Sequence, residues 1–150
     1  MSRTRTVGSQ KLIDMIRATG CEYETYVGGD ETYGVPTQAY MRKFWKWFRR
    51  ACWLLGLVWK RGKWECEDYV TLAYACSRLA HRVANAPPHV QAPAIGEWHY
   101  VRRVGGGHAV VPAIGEDENG ELEVQWWEPQ TGERLHLTRG ECESCRFSRF

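Results

Sequence analysis

The spacing of apolar residues changes once along this chain, and that change constrains the fold more than any other feature of the sequence. Before a proline-rich segment at residues 85–97, apolar side chains recur every three or four positions, which is typical of helices. After it they alternate with polar side chains, which is typical of strands. Helices followed by strands favour an α+β fold, in which the helices pack against an antiparallel sheet.

Three helices are predicted in the first half of the chain. The first covers residues 9–19, the second begins after Thr37 as its N-cap, and the third begins at Cys66 and ends before Asn85. Residues 20–36 are rich in glycine and are interpreted as a loop with one short strand. The apolar stripe of the second helix is predicted to consist of Tyr40, Phe44, Trp47, Phe48 and Ala51. The third helix is predicted to pack through small residues, namely Val70, Ala73, Cys76 or Ser77, Ala80 and Val83.

Strands are predicted in the second half of the chain, where turn-forming glycines separate the alternating segments. The four predicted strands cover residues 98–104, 108–114, 122–127 and 134–138. A chain of 150 residues has the length of one domain. We therefore predict a single domain over residues 1–150, with a helical part at about 9–84, a linker at about 85–97 and a sheet part at about 98–140.

Composition excludes two classes of protein. A chain with 43% hydrophobic and 13% aromatic residues can bury a sizeable core, which excludes a mainly disordered protein. The longest apolar run, residues 51–59, has about half of the ~20 residues that cross a bilayer, so no membrane partner is predicted. No apolar stretch follows the first arginines, so no secretory signal is predicted and a cytoplasmic location is expected. If the chain is encoded by a phage, this would be the cytoplasm of the host cell.

The six cysteines are expected to be free thiols, because no secretory signal is predicted. Cys21, Cys52 and Cys76 lie among apolar neighbours and are interpreted as small core residues. Cys142 and Cys145 form a lone CxxC pair, which supplies only two of the four ligands of a structural zinc ion. No role is assigned to that pair.

Three residues lie where a nucleophile, a base and an orienting group would be needed. Cys66 opens a helix, where unpaired backbone NH groups favour a thiolate. His108 opens a strand, and Glu128 ends the next strand, where its carboxylate can orient the imidazole. A cysteine on a helix, a histidine on a strand and an acid on the adjacent strand is the order seen in papain-like and transglutaminase-like folds. The fold is therefore predicted to be of that type.

The segments around these residues resemble a known family. Residues 64–69 (WECEDY), 107–111 (GHAVV) and 127–132 (WEPQTG) are similar to the C-[DE]-D-[FY], G-H-A and E-P-Q motifs of that family. It comprises the papain-like domain at the C-terminal end of Marasmius oreades agglutinin and small stand-alone relatives in phages and bacteria. The resemblance covers about residues 37–138. The carbohydrate-binding trefoil of the agglutinin has no counterpart in it, so sugar binding does not carry over.

The resemblance implies a cysteine peptidase activated by Ca²⁺ or Mn²⁺. Cys66 would be the nucleophile, His108 the base and Glu128 the orienting acid, and Gln130 would support the site. Glu67 and Asp68 would be the acids beside the metal, with Glu67 at a position where aspartate is usual. Two carboxylates beside Cys66 would also raise the pKa of its thiol, and a hard divalent cation would cancel that effect.

The predicted function is that of a cysteine-dependent hydrolase acting on a protein or peptide. Cys66, deprotonated by His108, would attack a carbonyl carbon and form a thioester that water hydrolyses. The oxyanion would be stabilised by the backbone NH of Cys66 or, as a weaker candidate, by the indole NH of Trp59. A transglutaminase-like acyltransferase would use the same groups and is an alternative.

A second alternative is a catalytically silent binding or inhibitor protein. Residues 41–63 contain eight basic residues and no acidic ones, interleaved with aromatic side chains. Such a face can bind nucleic acid by charge and stacking. It is more simply the solvated back of a helix whose aromatic stripe is buried, so a nucleic-acid partner is weighed and not favoured.

Overall fold

We describe a computed structural model of the chain, which covers residues 5–83, 87 and 89–150. Within these ranges the chain forms four helices: α1 (Ser9–Ala18), α2 (Gln38–Leu54), α3 (Cys66–Val83) and the short α4 (Arg139–Glu143). The strands are β1 (Thr6–Gly8), β2 (Thr32–Gly34), β3 (Ala92–Pro93), β4 (Glu97–Arg102), β5 (Gly106–Glu116), β6 (Leu122–Glu128), β7 (Glu133–Leu135) and β8 (Phe147–Arg149).

The main sheet has five strands in the order β7-β6-β5-β4-β8, and every neighbouring pair is antiparallel. Its register pairs Tyr100 with His108 between β4 and β5, and Val111 with Trp127 between β5 and β6. The predicted α+β class with an antiparallel sheet is therefore confirmed. The last strand, β8, returns to the edge beside β4 and was not predicted, because three residues are too few to establish an alternating pattern.

The long central strand β5 is buried on both faces of the sheet. Val110 and Ile114 join the core beneath α1, whereas Ala109, Val111 and Ala113 join the core beneath α2 and α3. The sheet therefore lies between two apolar layers, and its central strand is apolar nearly throughout.

A second, three-stranded sheet adds β1, β2 and β3, with β1 antiparallel to β2 and β2 parallel to β3. The predicted short strand within residues 20–36 is β2. The predicted linker holds β3 in its described part, and residues 84–86 and 88 lie outside the described residues.

Helix α2 begins as predicted but buries a different face. The hydroxyl oxygen of Thr37 accepts a hydrogen bond from the backbone NH of Tyr40 at 3.1 Å, which is the expected N-cap. Trp47 was predicted to be buried and is 53% exposed. The buried residues of α2 are Met41, Phe44, Trp45, Phe48 and Cys52. Apolar residues occur on both sides of the predicted stripe, so the sequence does not determine which face of α2 is buried. Packing against the sheet determines that face.

Helix α3 packs on β5 through Val70 and Ala73, as predicted, and through Ser77, the predicted alternative to Cys76. Its last residue, Val83, is 71% exposed and lies outside the packed face. Among residues 5–83, 87 and 89–150, no helix is long and apolar enough to cross a membrane.

Candidate functional site

The start of α3 is held by side-chain hydrogen bonds to the turn that precedes it. The backbone NH of Glu65 donates to Oδ2 of Asp68 at 2.8 Å, and the backbone NH of Gly62 donates to Oε1 of Glu65 at 2.9 Å. These bonds satisfy amides that a helix start leaves unpaired. They fix the position of Cys66, the first residue of the helix.

The Cys66 thiol is a hydrogen-bond donor in this arrangement. Its Sγ donates to Oε2 of Glu67 at 3.3 Å. Burial raises the pKa of the thiol, Glu67 raises it further, and a hydrogen bond from the backbone of Ala109 lowers it only in part. The pKa of the thiol therefore moves in the direction expected from the neighbouring carboxylate, and opposite to the direction expected from the helix start alone.

His108 and Glu128 form a hydrogen-bonded pair across neighbouring strands. Nε2–H of His108 donates to Oε2 of Glu128 at 2.8 Å, and both side chains are largely buried. Oε1 of Glu128 accepts a longer bond, 3.3 Å, from the backbone NH of Gln130. The ring of His108 also meets the ring of Tyr100 edge to face, with centroids 5.9 Å apart. The imidazole is thus held by the carboxylate behind it.

A cleft of about 810 Å³ brings most of the predicted site residues together between the start of α3 and strands β4 and β5. The predicted residues that line it are Trp59, Cys66, Glu67, His108 and Gln130. Glu128 lies behind His108, and Asp68 faces the amide of Glu65. Among the described residues, no hydrogen bond joins Sγ of Cys66 to the ring of His108. The catalytic roles predicted for these side chains stay predictions.

Several residues of the cleft were missed by sequence reasoning. Arg102 and Arg146 line it beside Arg61, which belongs to the basic segment 41–63, and so does His99, whose pKa is lowered by burial. In the described part of the chain none of these three arginines is in an ion pair. No motif marks them, because they come from three separate segments that only the fold brings together.

The residues beside Cys66 do not form a complete set of ligands for a divalent cation. Calcium takes six to eight oxygen ligands, and Glu67 and Asp68 supply two carboxylates that already accept hydrogen bonds. The described residues contain no group of three or more His, Cys, Asp or Glu side chains placed to hold a metal. Activation by Ca²⁺ or Mn²⁺ stays a prediction.

A second groove of about 770 Å³ adjoins the cleft along α2 and shares Trp59 and Gln130 with it. Its basic residues are Arg42, Lys46, Arg49 and Arg50. No acidic side chain among the described residues lines it, and Trp53 at its edge is 75% exposed. The basic aromatic face predicted at residues 41–63 is therefore present at the surface as a groove.

Comparison with known proteins gives matches to solved structures alone, since no family model and no curated protein matches the chain. One match is Polyporus squamosus lectin bound to the human-type influenza-binding epitope Neu5Aca2-6Galb1-4GlcNAc, with a TM-score of 0.75 and 17% identity over 97% of this chain and 49% of that chain. Another is a PSL1a–E64 complex, with a TM-score of 0.70 and 19% identity over 97% of this chain and 51% of that chain.

These likenesses establish the fold, and this chain spans about half the length of the structures it matches. They also correct the predicted function. The first structure is described as a lectin bound to a saccharide and not as a peptidase, so the predicted cysteine-dependent hydrolase or thiol protease is not supported. A peptide substrate is not supported, and the acyltransferase alternative fails for the same reason as the hydrolase.

Proposed function

We propose that this chain is a binding protein that holds a carboxylate-bearing saccharide in the cleft beside Cys66 and His108. Its fold would be of the papain-like type, with α3 opening at Cys66 and packing on the strand that carries His108. The order of these elements and the His108–Glu128 pair support that assignment. In this proposal the side chains of Cys66 and His108 form a polar side of the binding site, and Glu128 holds the ring of His108 in place.

The observation that carries the proposal is an excess of unpaired cations around the two adjoining clefts. Seven basic residues line them, and among the described residues none is in an ion pair. They are Arg42, Lys46, Arg49, Arg50, Arg61, Arg102 and Arg146. Guanidinium groups bind carboxylates through two parallel hydrogen bonds, so an anionic ligand fits this surface better than a neutral one.

The remaining lining suits a sugar ring. Trp59 is 50% exposed where the two clefts meet and offers a flat apolar face. Around it lie the amide of Gln130 and the thiol of Cys66, which can bond hydroxyl groups. Pockets that combine an aromatic surface with a few polar groups are typical of specific ligand sites. The glycan of the lectin, which ends in a sialic acid, is the first ligand to test.

The test is a titration of the whole chain with the trisaccharide Neu5Acα2-6Galβ1-4GlcNAc and, as the matched ligand, with the disaccharide Galβ1-4GlcNAc, which lacks the sialic acid. We expect binding of the sialylated ligand alone, measured by chemical-shift changes and by calorimetry. Replacing Trp59 with alanine or Arg102 with glutamine should weaken binding about tenfold or more, which corresponds to about 1.4 kcal/mol. Lys11→Gln, at an exposed position on α1, is the matched control.

Equal binding of both ligands, or of neither, would contradict the proposal. So would cleavage of a peptide or of the glycan during the titration, because turnover requires a reactive group that the proposed site does not use. Mass spectrometry of the ligand before and after incubation distinguishes binding from turnover.

A second candidate function is the binding of single-stranded nucleic acid along α2. The observation that favours it is the exposure of Trp53 and Trp59 beside a groove whose charged side chains are all basic. Aromatic rings that stack on bases, together with cations that pair with phosphates, form such sites. Retention on single-stranded DNA that falls steeply with salt, and is lost when Arg42, Lys46 and Arg49 become glutamine, would support this function.

A further inference from the structure

A run of large apolar side chains at the end of α2 is exposed to solvent. Five of them lie within residues 53–59, and each is between 50% and 75% exposed. We call this set the apolar tip; its members are Trp53, Leu54, Leu55, Val58 and Trp59. Exposed apolar side chains that occur singly are ordinary, whereas a cluster of them marks a surface that meets a partner.

Hydrogen bonds hold the apolar tip in place. The backbone NH of Leu57 donates to the carbonyl of Cys52 at 2.9 Å. The backbone NH of Gly56, whose φ is in the left-handed region, donates to the carbonyl of Trp53 at 3.0 Å. These two bonds form the Schellman motif that ends many helices. The hydroxyl of Tyr69 donates to the carbonyl of Leu57 at 2.8 Å and ties the turn to α3. Leu57 packs against the core, so the turn is anchored while its neighbours stay exposed.

Basic side chains flank the apolar tip on both sides in sequence, and residues 41–63 contain no acidic residue. The exposed ones nearest to the tip are Arg49, Arg50, Lys60, Arg61 and Lys63. The first two line the same groove as Trp53, Val58 and Trp59. Among the described residues none of these five cations is in an ion pair. An apolar tip with unpaired cations beside it fits a partner that has a negative surface and an apolar interior.

We infer that the apolar tip docks this chain on a membrane surface that contains anionic lipids. The tip enters the boundary between headgroups and acyl chains, and the flanking cations lie among the charged groups of the lipid headgroups. Surfaces that bind at this boundary combine Trp and Leu with Lys and Arg. The sequence argument against a membrane partner concerned a segment that crosses the bilayer, and a turn that lies on its surface does not need that length.

A lipid surface fits the apolar tip better than a nucleic acid or a second copy of the chain does. Leu54, Leu55 and Val58 have no ring that could stack on a base, although they form most of the tip. In a two-fold dimer the same surface of each copy meets the other, so the cations beside the tip would face one another. Like charges opposed in this way weaken an interface.

The test is flotation of the whole chain with vesicles of phosphatidylcholine and phosphatidylserine, and with vesicles of phosphatidylcholine alone. We expect binding to the anionic vesicles alone, and a decrease in binding as salt is added. Leu54→Ser with Leu55→Ser should weaken binding about tenfold or more, because two apolar side chains no longer enter the lipid. Leu79→Ser with Val83→Ser, at exposed positions on α3, is the matched control and should bind as the natural chain does.

The contribution of charge is tested at Lys60 and Lys63, which lie outside both clefts. Lys60→Glu with Lys63→Glu should weaken binding to the anionic vesicles more than about tenfold, since each cation near such a surface contributes about fivefold. Lys11→Glu with Arg17→Glu makes the same change in net charge on α1, which packs on the opposite face of the sheet. This control should have only a small effect.

Equal binding to both kinds of vesicle, or to neither, would overturn the inference. A dimer in analytical ultracentrifugation that is lost in Leu54→Ser with Leu55→Ser would also overturn it, because the tip would then meet a second copy. Retention on single-stranded DNA that is lost in the same double variant would assign the tip to a nucleic acid instead. The natural chain with the two kinds of vesicle gives the answer even where a variant folds poorly. Because the vesicles carry no saccharide, the result is independent of the proposed saccharide binding.

Discussion

Nε2 of His108 and Oε2 of Glu128 lie 2.8 Å apart on two neighbouring antiparallel strands, and both side chains are largely buried. A buried carboxylate needs a partner because its hydration is lost. Here the partner is an imidazole NH, and a backbone NH contributes a second, longer bond. The pair therefore fixes the orientation of a ring at the edge of the cleft, whatever ligand the cleft holds.

Removing the carboxylate of this pair should destabilise the fold. We expect Glu128→Ala to lower the free energy of unfolding by about 1–3 kcal/mol, because the Nε2–H of His108 loses its acceptor. Glu128→Gln should cost less, since the amide oxygen can still accept the bond. Urea unfolding measures the difference, with Glu118→Ala, in an exposed turn, as the control. Equal losses in the alanine and glutamine variants would show that the bond contributes little.

The thiol of Cys66 should become more acidic when Glu67 loses its charge. Glu67 raises the pKa of this thiol, so Glu67→Gln should move the pH dependence of its alkylation to lower pH. At pH 7.5 we expect the rate of reaction with iodoacetamide to rise several-fold, since each unit of pKa changes the thiolate fraction about tenfold. Mass mapping must follow Cys66 separately from the other five cysteines. An unchanged profile would mean that burial alone sets the pKa.

The same shift has a consequence for stability at alkaline pH. The pKa of the Cys66 thiol is higher in the folded chain than its ordinary value of 9.0, so the folded chain holds this proton more tightly than the unfolded chain does. This contribution to stability is fully present below pH 9. It is lost as the pH rises from there through the pKa of the folded chain. Stability should therefore fall as the pH rises through about 9. In Cys66→Ser this part of the fall should be absent, as thermal unfolding at pH 7 and pH 9.5 would reveal.

Much of the fold could be predicted because its long elements carry clear patterns. Helices α1, α2 and α3 and strands β4, β5 and β6 were predicted near their observed places. The phase of α2 could not be predicted, because it depends on Trp45 packing near Trp127 of β6, with ring centroids 6.3 Å apart. Strands β1, β3 and β8 have three residues or fewer and lie outside the alternating segments from which β4 to β7 were predicted.

Some residues of the candidate site could likewise be predicted from the sequence, and others could not. Cys66, His108 and Glu128 lie at the ends of long elements, so their sequence positions indicated a common region. Arg146 lies between α4 and β8 and is brought to the cleft by a long-range bond from its backbone NH to the carbonyl of His99, at 2.8 Å. No local pattern predicts such a contact. The protonation of Cys66 likewise depends on burial, which sequence spacing does not report.

Gly96 should not tolerate a side chain. A Cβ at this position would overlap the carbonyl oxygen of Arg149 and lie 3.0 Å from Cγ of Phe150, so β8 would have to move away from β4. We expect Gly96→Ala to cost about 1–3 kcal/mol or more in the free energy of unfolding. Gly107→Ala, which meets no heavy atom within 4 Å, is the matched control. Similar urea midpoints for the two variants would contradict this account of the strand contact.

The edge strand β8 is also held by an ion pair between Arg149 and Glu97, with Nε and Oε2 2.6 Å apart and Glu97 only 2% exposed. Arg149→Leu would leave a buried carboxylate without its cation, which typically costs 3–5 kcal/mol, so we expect a loss of about 3 kcal/mol in urea unfolding. Arg139→Leu, which removes an exposed pair with Glu143, should cost under about 1 kcal/mol. Two results would contradict this account and mean that Glu97 is neutral in the folded chain. One is a loss of stability in Arg149→Leu as small as that in Arg139→Leu. The other is a double variant, Arg149→Leu with Glu97→Leu, that is no more stable than Arg149→Leu alone.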